Sequence, residues 1–165
     1  MAATATSTPF QALIEAHARS VASFLRGMLP PEDVDDALQE TMLAALRAYP
    51  GFDGRNPRAW LLAIARRKAI DEHRARARRP GELAEPDAIA TAAADADGRD
   101  PELWGRVAAL PPKQRAAVVL RFALDLRYRE VGVALDCSEE AARRSVHEAV
   151  RTLRSAYSSD EEATR

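Results

Sequence analysis

The segment from Leu126 to Leu153 constrains the fold most, because apolar positions recur at helical spacing on both sides of a two-residue turn. A first helix is predicted over about Tyr128 to Leu135, with Val131, Ala134 and Leu135 on its apolar face. Asp136-Cys137 makes the turn. Ser138 suits the N-cap of the next helix, where its hydroxyl accepts a backbone N–H that lacks a partner within the helix. In that second helix Ala142, Val146, Ala149 and Leu153 recur at steps of four, three and four and form one buried stripe. The opposite face carries Glu140, Arg144, Glu148 and Arg151, flanked by Arg143 and His147. An arginine-bearing helix packed by its back onto another helix has the shape of a reader lying in a DNA major groove. An ordinary helical hairpin with a solvated charged face has the same pattern, so both readings stand at this point.

Abundant alanine and arginine, only seven glycines and no long β-branched alternation argue for an all-α protein. The 165 residues suit one domain or two small ones. A single cysteine excludes an internal disulfide framework and fits a reducing cytoplasm. Met1 to Pro9 has neither the positive charge nor the apolar core of a secretory signal. No apolar run approaches the roughly 18 residues that span a bilayer, so no membrane insertion is expected. The three histidines, His17, His73 and His147, are scattered, and Cys137 has no partner and reads as a small core residue of the turn. No phosphate-cradling glycine motif or nucleophile elbow is present, and no catalytic residue, metal or cofactor is expected.

The net charge of −1 hides strong segregation. Residues 31–40 carry five acids and no base, whereas residues 66–79 carry seven bases against Asp71 and Glu72. Residues 82–102 then carry seven acids against Arg99, and residues 105–154 carry ten bases against six acids. Two basic blocks separated by an acidic one suggest two nucleic-acid-facing surfaces on separate modules.

Helices are predicted from about Pro9 to Leu29, with Phe10, Leu13, Val21, Phe24 and Leu25 in the core, and from about Glu32 to Tyr49, with Val34, Leu38, Met42 or Thr41, Ala45 and Tyr49 on one face. Pro50 to Pro57 is a loop by its proline and glycine content. The helix that follows is apolar nearly all round through Trp60, Leu61, Leu62 and Ile64 and becomes charged from Arg66, so it starts in a core and emerges into solvent, with Trp60 assigned to that core. Residues 80–100, rich in proline, glycine, alanine and acid, read as a flexible linker. Two more helices, about Pro101 to Leu110 and about Lys113 to Ala123, precede the hairpin. The latter is predicted to bury Ala117, Val118, Leu120 and Phe122. Ser158 to Arg165 reads as a frayed tail.

The segments Asp33-Val-Asp-Asp-Ala-Leu-Gln-Glu40, Ala48-Tyr-Pro-Gly-Phe-Asp-Gly-Arg55 and Arg58-Ala-Trp-Leu-Leu-Ala-Ile-Ala-Arg-Arg67 resemble region 2 of bacterial RNA polymerase sigma factors, in particular the extracytoplasmic-function (ECF) class. Leu110-Pro-Pro-Lys-Gln-Arg115, Val119-Leu-Arg-Phe122 and Tyr128-Arg-Glu-Val131, running on to Leu153-Arg154, resemble region 4 of the same class. The resemblance covers about residues 10–156 in the family's order, with a linker where the family has one. It implies two small helical modules: 9–79 for polymerase docking and minus-10 melting, and 101–156 for minus-35 binding, joined by the acidic linker 80–100.

The resemblance implies a role for each matching position. Asp35, Asp36, Gln39, Glu40 and Leu43 would dock on the β′ clamp helices of core RNA polymerase, with the β flap as a second polymerase contact. Phe52, Asp53, Gly54, Arg55, Asn56 and Arg58 match the loop that captures a flipped-out minus-10 base, and a loop of this composition can form such a pocket. Arg66, Arg67, Lys68, Arg74 and Arg76 would hold the DNA backbone, with steep salt dependence. Arg127, Arg129, Ser138, Glu139, Glu140, Arg143, Arg144, Ser145, His147 and Arg151 match the minus-35 reader. Here the chain departs from the family, which often has Gly-Thr-Val-Lys-Ser-Arg where this chain has Glu140-Ala-Ala-Arg-Arg-Ser145, and often a base where Glu148 stands. Glu140 can accept from a cytosine N4 amine and Arg144 can fork onto guanine. The resemblance implies promoter DNA, core polymerase and an anti-sigma factor as partners, with no obligate homo-oligomer. Two rival readings are a polymerase-independent helix-turn-helix regulator and a sigma mimic that acts by binding an anti-sigma factor.

Overall fold

A computed structural model of the chain describes residues 9–81, 98 and 100–163. Most of the predicted acidic linker therefore lies outside the described residues. Among those described, the protein is all-α, with seven helices: α1 (Phe10–Met28), α2 (Pro31–Ala48), α3 (Pro57–Ala77), α4 (Pro101–Ala108), α5 (Pro112–Val118), α6 (Tyr128–Leu135) and α7 (Glu139–Ala163). No described helix is long and apolar enough to cross a membrane.

Local chemistry explains where the helices begin. Four of them, α2 to α5, open with a proline, whose missing N–H costs nothing in the first turn. In α2 the acids Glu32 and Asp33 follow in the first turn, favourable against the helix dipole. The Asp100 side chain caps α4 by accepting from Glu102 N–H at 3.0 Å, and Ser138 Oγ caps α7 by accepting from Ala141 N–H at 3.1 Å. Asp136 ends α6 in the left-handed conformation (φ 54°), which an aspartate tolerates better than a branched residue.

Helix α3 is the hub of the packing. It lies against α1 and α2 on one side and against α6 on the other, while α5 packs on α1 and α7. Its residues Leu61 to Ala65 are consecutively buried, which explains a stretch that is apolar on every side. The two modules pack against each other, and their buried residues form one continuous core. Arg115 bridges them from within: its guanidinium donates to the carbonyls of Met28 at the end of α1 and of Ala108 and Leu110 at the end of α4. Those are helix-terminal carbonyls with no partner in their own helix. Burial pushes the Arg115 pKa down to about 10, so it stays protonated at neutral pH.

Four expectations need correction. Phe122 is 60% exposed instead of buried, because α5 passes into a π-turn over Val119–Ala123. The wider turn, with Leu124 N–H donating to Val119 O and Leu126 N–H to Leu120 O, advances the register and swings Phe122 outward. On α2 the core face is Val34, Ala37, Thr41 and Ala45, with Leu38 and Met42 only half-buried; Thr41 is buried because its hydroxyl donates to Ala37 O at 2.7 Å. Helix α7 continues to Ala163 where a frayed tail was predicted; in this extension Ser155 and Ser158 donate back to carbonyls four residues earlier, and the Arg106 guanidinium sits 4.0 Å from the Tyr157 ring centre. Trp60, assigned to the core, is half-buried and stacks on Phe52 at the surface.

Candidate nucleic-acid interface

Three surfaces gather the residues singled out in the sequence. On α2, Asp35, Asp36, Gln39 and Glu40 are all exposed, and beside them Leu43 (53% exposed) and Leu46 (51%) leave apolar area uncovered. Leu46 was not among the predicted docking residues. Its signal was its place three residues after Leu43, off the core stripe of the helix. An acidic helix face with two large uncovered leucines has the composition of a protein-docking surface.

The second surface is the loop between α2 and α3. Gly54 (φ 81°) and Asn56 (φ 44°) both take left-handed backbone, and Asp53 Oδ1 accepts from the backbone N–H of Arg55 at 2.8 Å, so the loop folds back on itself. A ladder of rings supports it: Phe10 meets Tyr49 edge-on at 5.2 Å, Tyr49 leans on Phe52, and Phe52 stacks on Trp60 at 4.3 Å between ring centres. Gly51, Phe52, Asp53, Arg55, Asn56, Trp60 and, from α6, Val133 line a cleft of about 400 Å³. An aromatic wall opposite amide, carboxylate and guanidinium groups can hold a planar, hydrogen-bonding ligand such as an unstacked base.

The basic residues of α3 do not form one free row. Arg67 and Arg74 are exposed and Lys68 half-exposed. Arg58 donates through Nε to Ser20 Oγ at 3.1 Å and through Nη2 to Leu124 O at 2.7 Å, and Arg66 donates to Ala134 O at 3.0 Å. Arg76 is tied down differently, by ion pairs to Asp33 and Glu32 of α2. Desolvation by burial, then the neighbouring charge of Arg67, lowers the Arg66 pKa from its ordinary high value.

The third surface is α7 with the π-turn. Glu139, Glu140, Arg143, Arg144, His147, Glu148 and Arg151 are exposed, as are Arg127, Arg129 and Ser138 before them. Ser145 is the exception: it is buried, its place in the helix turning it toward Ala142 and Val146, and it drops out of the reading face. The Arg143 guanidinium pairs with Glu139 at 2.6 Å and lies 4.5 Å from the Tyr128 ring centre, which fixes its direction. Phe122, Tyr128, Arg143, Arg144, His147, Arg151 and neighbours line a groove of about 560 Å³. Phe122 and Tyr128 escaped prediction as site residues, since only the π-turn brings Phe122 to this edge.

Comparison with known proteins agrees with this geometry. Residues 13–79 match the family model for Sigma-70 region 2, and residues 102–153 that for Sigma-70, region 4. The chain is 36% identical over 134 residues to the ECF RNA polymerase sigma factor ShbA of Streptomyces griseus, covering 73% of this chain and 70% of that one. It is 32% identical over 145 residues to the ECF RNA polymerase sigma factor SigC of Mycobacterium tuberculosis, covering 82% and 76%. Among solved structures, CnrH in complex with the cytosolic domain of CnrY superposes with a TM-score of 0.68 at 26% identity, over 92% of this chain and 88% of that one. The sigma factor RpoE of Bartonella quintana, solved with the anti-sigma factor NepR, shares the fold with a TM-score of 0.68 at 19% identity, over 88% and 94%. The chain belongs to the ECF RNA polymerase sigma factors. As such it is a promoter-specificity subunit of RNA polymerase, a DNA-binding regulatory protein.

Proposed function

We propose a division of labour in which residues 9–79 dock on core polymerase and open the minus-10 element, while residues 101–156 hold the minus-35 element. The single observation that carries this reading is the loop cleft: a stacked Phe52–Trp60 wall facing Arg55 and Asn56, between an exposed acidic helix and a basic one. A helix-turn-helix regulator working without polymerase has no use for that cleft. A sigma mimic has no use for the exposed bases of α3 and α7.

In this reading Asp35, Asp36, Gln39, Glu40, Leu43 and Leu46 meet the β′ clamp helices. Phe52, Asp53, Gly54, Arg55, Asn56 and Trp60 receive the flipped base. Arg58, Arg66, Arg67, Lys68 and Arg74 take the strand backbone, and Arg76 serves the α2–α3 pairing instead. The minus-35 face is Arg127, Arg129, Ser138, Glu139, Glu140, Arg143, Arg144, His147 and Arg151, without Ser145. The polymerase performs the chemistry, and the chain works in the cytoplasm beside it. An anti-sigma factor is a further partner; the relative CnrH is held by the cytosolic domain of CnrY in its solved structure. The docking assignment is tested by Asp36→Lys with Glu40→Lys in the full chain. Both positions are exposed, so the thermal midpoint stays within about 2 °C while binding to purified core polymerase in a pull-down is lost. Binding at the wild-type level would overturn the assignment.

A further inference from the structure

The groove between α7 and the π-turn is walled largely by cations, which suits a surface facing phosphates. Among the described residues that line it, Glu148 is the one carboxylate, set beside the guanidinium groups of Arg143, Arg144, Arg151 and Arg154. Glu148 is exposed and shares a face of α7 with Arg144, four residues before it, and Arg151, three after. The plainest use of such an acid is a surface ion pair, and this helix contains one for comparison. Glu139 pairs with Arg143 at 2.6 Å, the glutamate standing four residues ahead of its base, which is the favourable order along a helix. Arg144 and Glu148 stand in the reverse order. Among the described residues the Glu148 carboxylate has no ion pair or hydrogen bond; only its main-chain carbonyl is engaged by a side chain, accepting from Thr152 Oγ at 3.0 Å.

An unpaired carboxylate on a face that meets DNA is repelled by every phosphate, so it gains there only from a hydrogen-bond donor on a base edge. In the major groove that donor is the N4 amine of cytosine or the N6 amine of adenine. Adenine places its N7 acceptor beside N6, which suits an amide that donates and accepts at once. Cytosine presents the amine alone, which suits a group that can only accept. We infer that Glu148 is a specificity-determining residue of the minus-35 reader, selecting a cytosine at one position of the element through its N4 amine. This rests on the minus-35 role proposed for α7. The surrounding guanidinium groups hold the helix on the backbone whatever the sequence and offset the repulsion between Glu148 and the phosphates. Opposite guanine or thymine the carboxylate meets acceptors or a methyl group and loses its water without gaining a partner.

The experiment uses holoenzyme assembled from the full chain and purified core polymerase. It is offered a pool of promoter-length DNA duplexes of random sequence, and the bound fraction is sequenced. The wild-type chain enriches an upstream motif in which one position prefers cytosine about tenfold over guanine or thymine. Glu148→Ala loses the preference at that position and keeps the rest of the motif. Glu148→Gln moves the preference to adenine, since an amide pairs with both N6 and N7. Glu148 is exposed, so both variants keep the wild-type thermal midpoint. A motif that survives Glu148→Ala at every position overturns the inference. So does a uniform rise in affinity for all sequences, which would make Glu148 a brake on phosphate binding and nothing more. These outcomes leave the minus-35 role of α7 standing. The absence of any upstream motif from the wild-type selection overturns that role and this inference together.

Discussion

Replacing Arg115 by methionine keeps the aliphatic stem and removes a guanidinium that three buried carbonyls share. Met28 O and Leu110 O accept from it at 3.2 Å each, and Ala108 O accepts as well. His73 also makes a hydrogen bond to the Met28 backbone, so that carbonyl keeps a partner and two are orphaned. An unsatisfied buried acceptor costs about 1–3 kcal/mol, which puts the loss at roughly 2–6 kcal/mol. The substitution also relieves the cost of desolvating a guanidinium that is only 7% exposed, so the net lies near 3 kcal/mol. Equilibrium urea unfolding at pH 7.5, with helicity as the probe, measures it directly. Arg115→Lys retains the charge but cannot fork across two helix ends, so it recovers less than half of the loss. A loss below about 1 kcal/mol for Arg115→Met would refute the argument that these carbonyls depend on Arg115.

Two further outcomes follow from close contacts and buried charge. A Cβ on Gly132 would sit 2.9 Å from Cys137 O and 3.3 Å from the Ser138 backbone, so Gly132→Ala pushes the turn off α6 and lowers stability by about 1–3 kcal/mol, several degrees in thermal midpoint; an unchanged midpoint would contradict this. Burial, then the Arg115 charge, depresses the His73 pKa below its ordinary value, against the opposing hydrogen bond to Met28 and with Arg76 and Asp33 as the other charged neighbours. The unfolded chain therefore binds a proton that the folded one refuses. The stability this residue permits is complete above the ordinary histidine pKa of about 6.5 and is lost as pH falls from there toward the depressed value. His17, lowered by burial and then by Arg58, adds to the same trend. Urea midpoints at pH 7.5 and 5.5 will fall less for His73→Gln than for the wild-type chain, and equal falls would rule out His73 as a source.

The hairpin was legible because its signals are local. Ser138 and Asp136 are residues whose own chemistry ends or starts a helix, and α6 begins and ends where its sequence pattern does. The acids of α2 and the bases on the exposed face of α7 were legible for a similar reason, since helical periodicity alone turns them outward. Phe122 was misplaced because a fixed step of 100° cannot anticipate a π-turn, which depends on how α5 meets α6 and α1. The engagement of Arg58, Arg66 and Arg76 was not legible at all. Their partners lie 38 to 68 residues away, and nothing in a basic run distinguishes an arginine held by a distant partner from one facing solvent. The all-round apolar stretch of α3 did carry that information, since it demanded cover on two sides, but the sequence named only one.

The central claim is that this chain gives RNA polymerase its promoters through the α2 face, the loop cleft and α7. Run-off transcription with purified core enzyme over a library of genomic fragments tests it most directly. The account predicts discrete products that require the chain and that disappear when Phe52→Ala and Arg55→Ala are combined in the cleft. An absence of chain-dependent products from every fragment would contradict it.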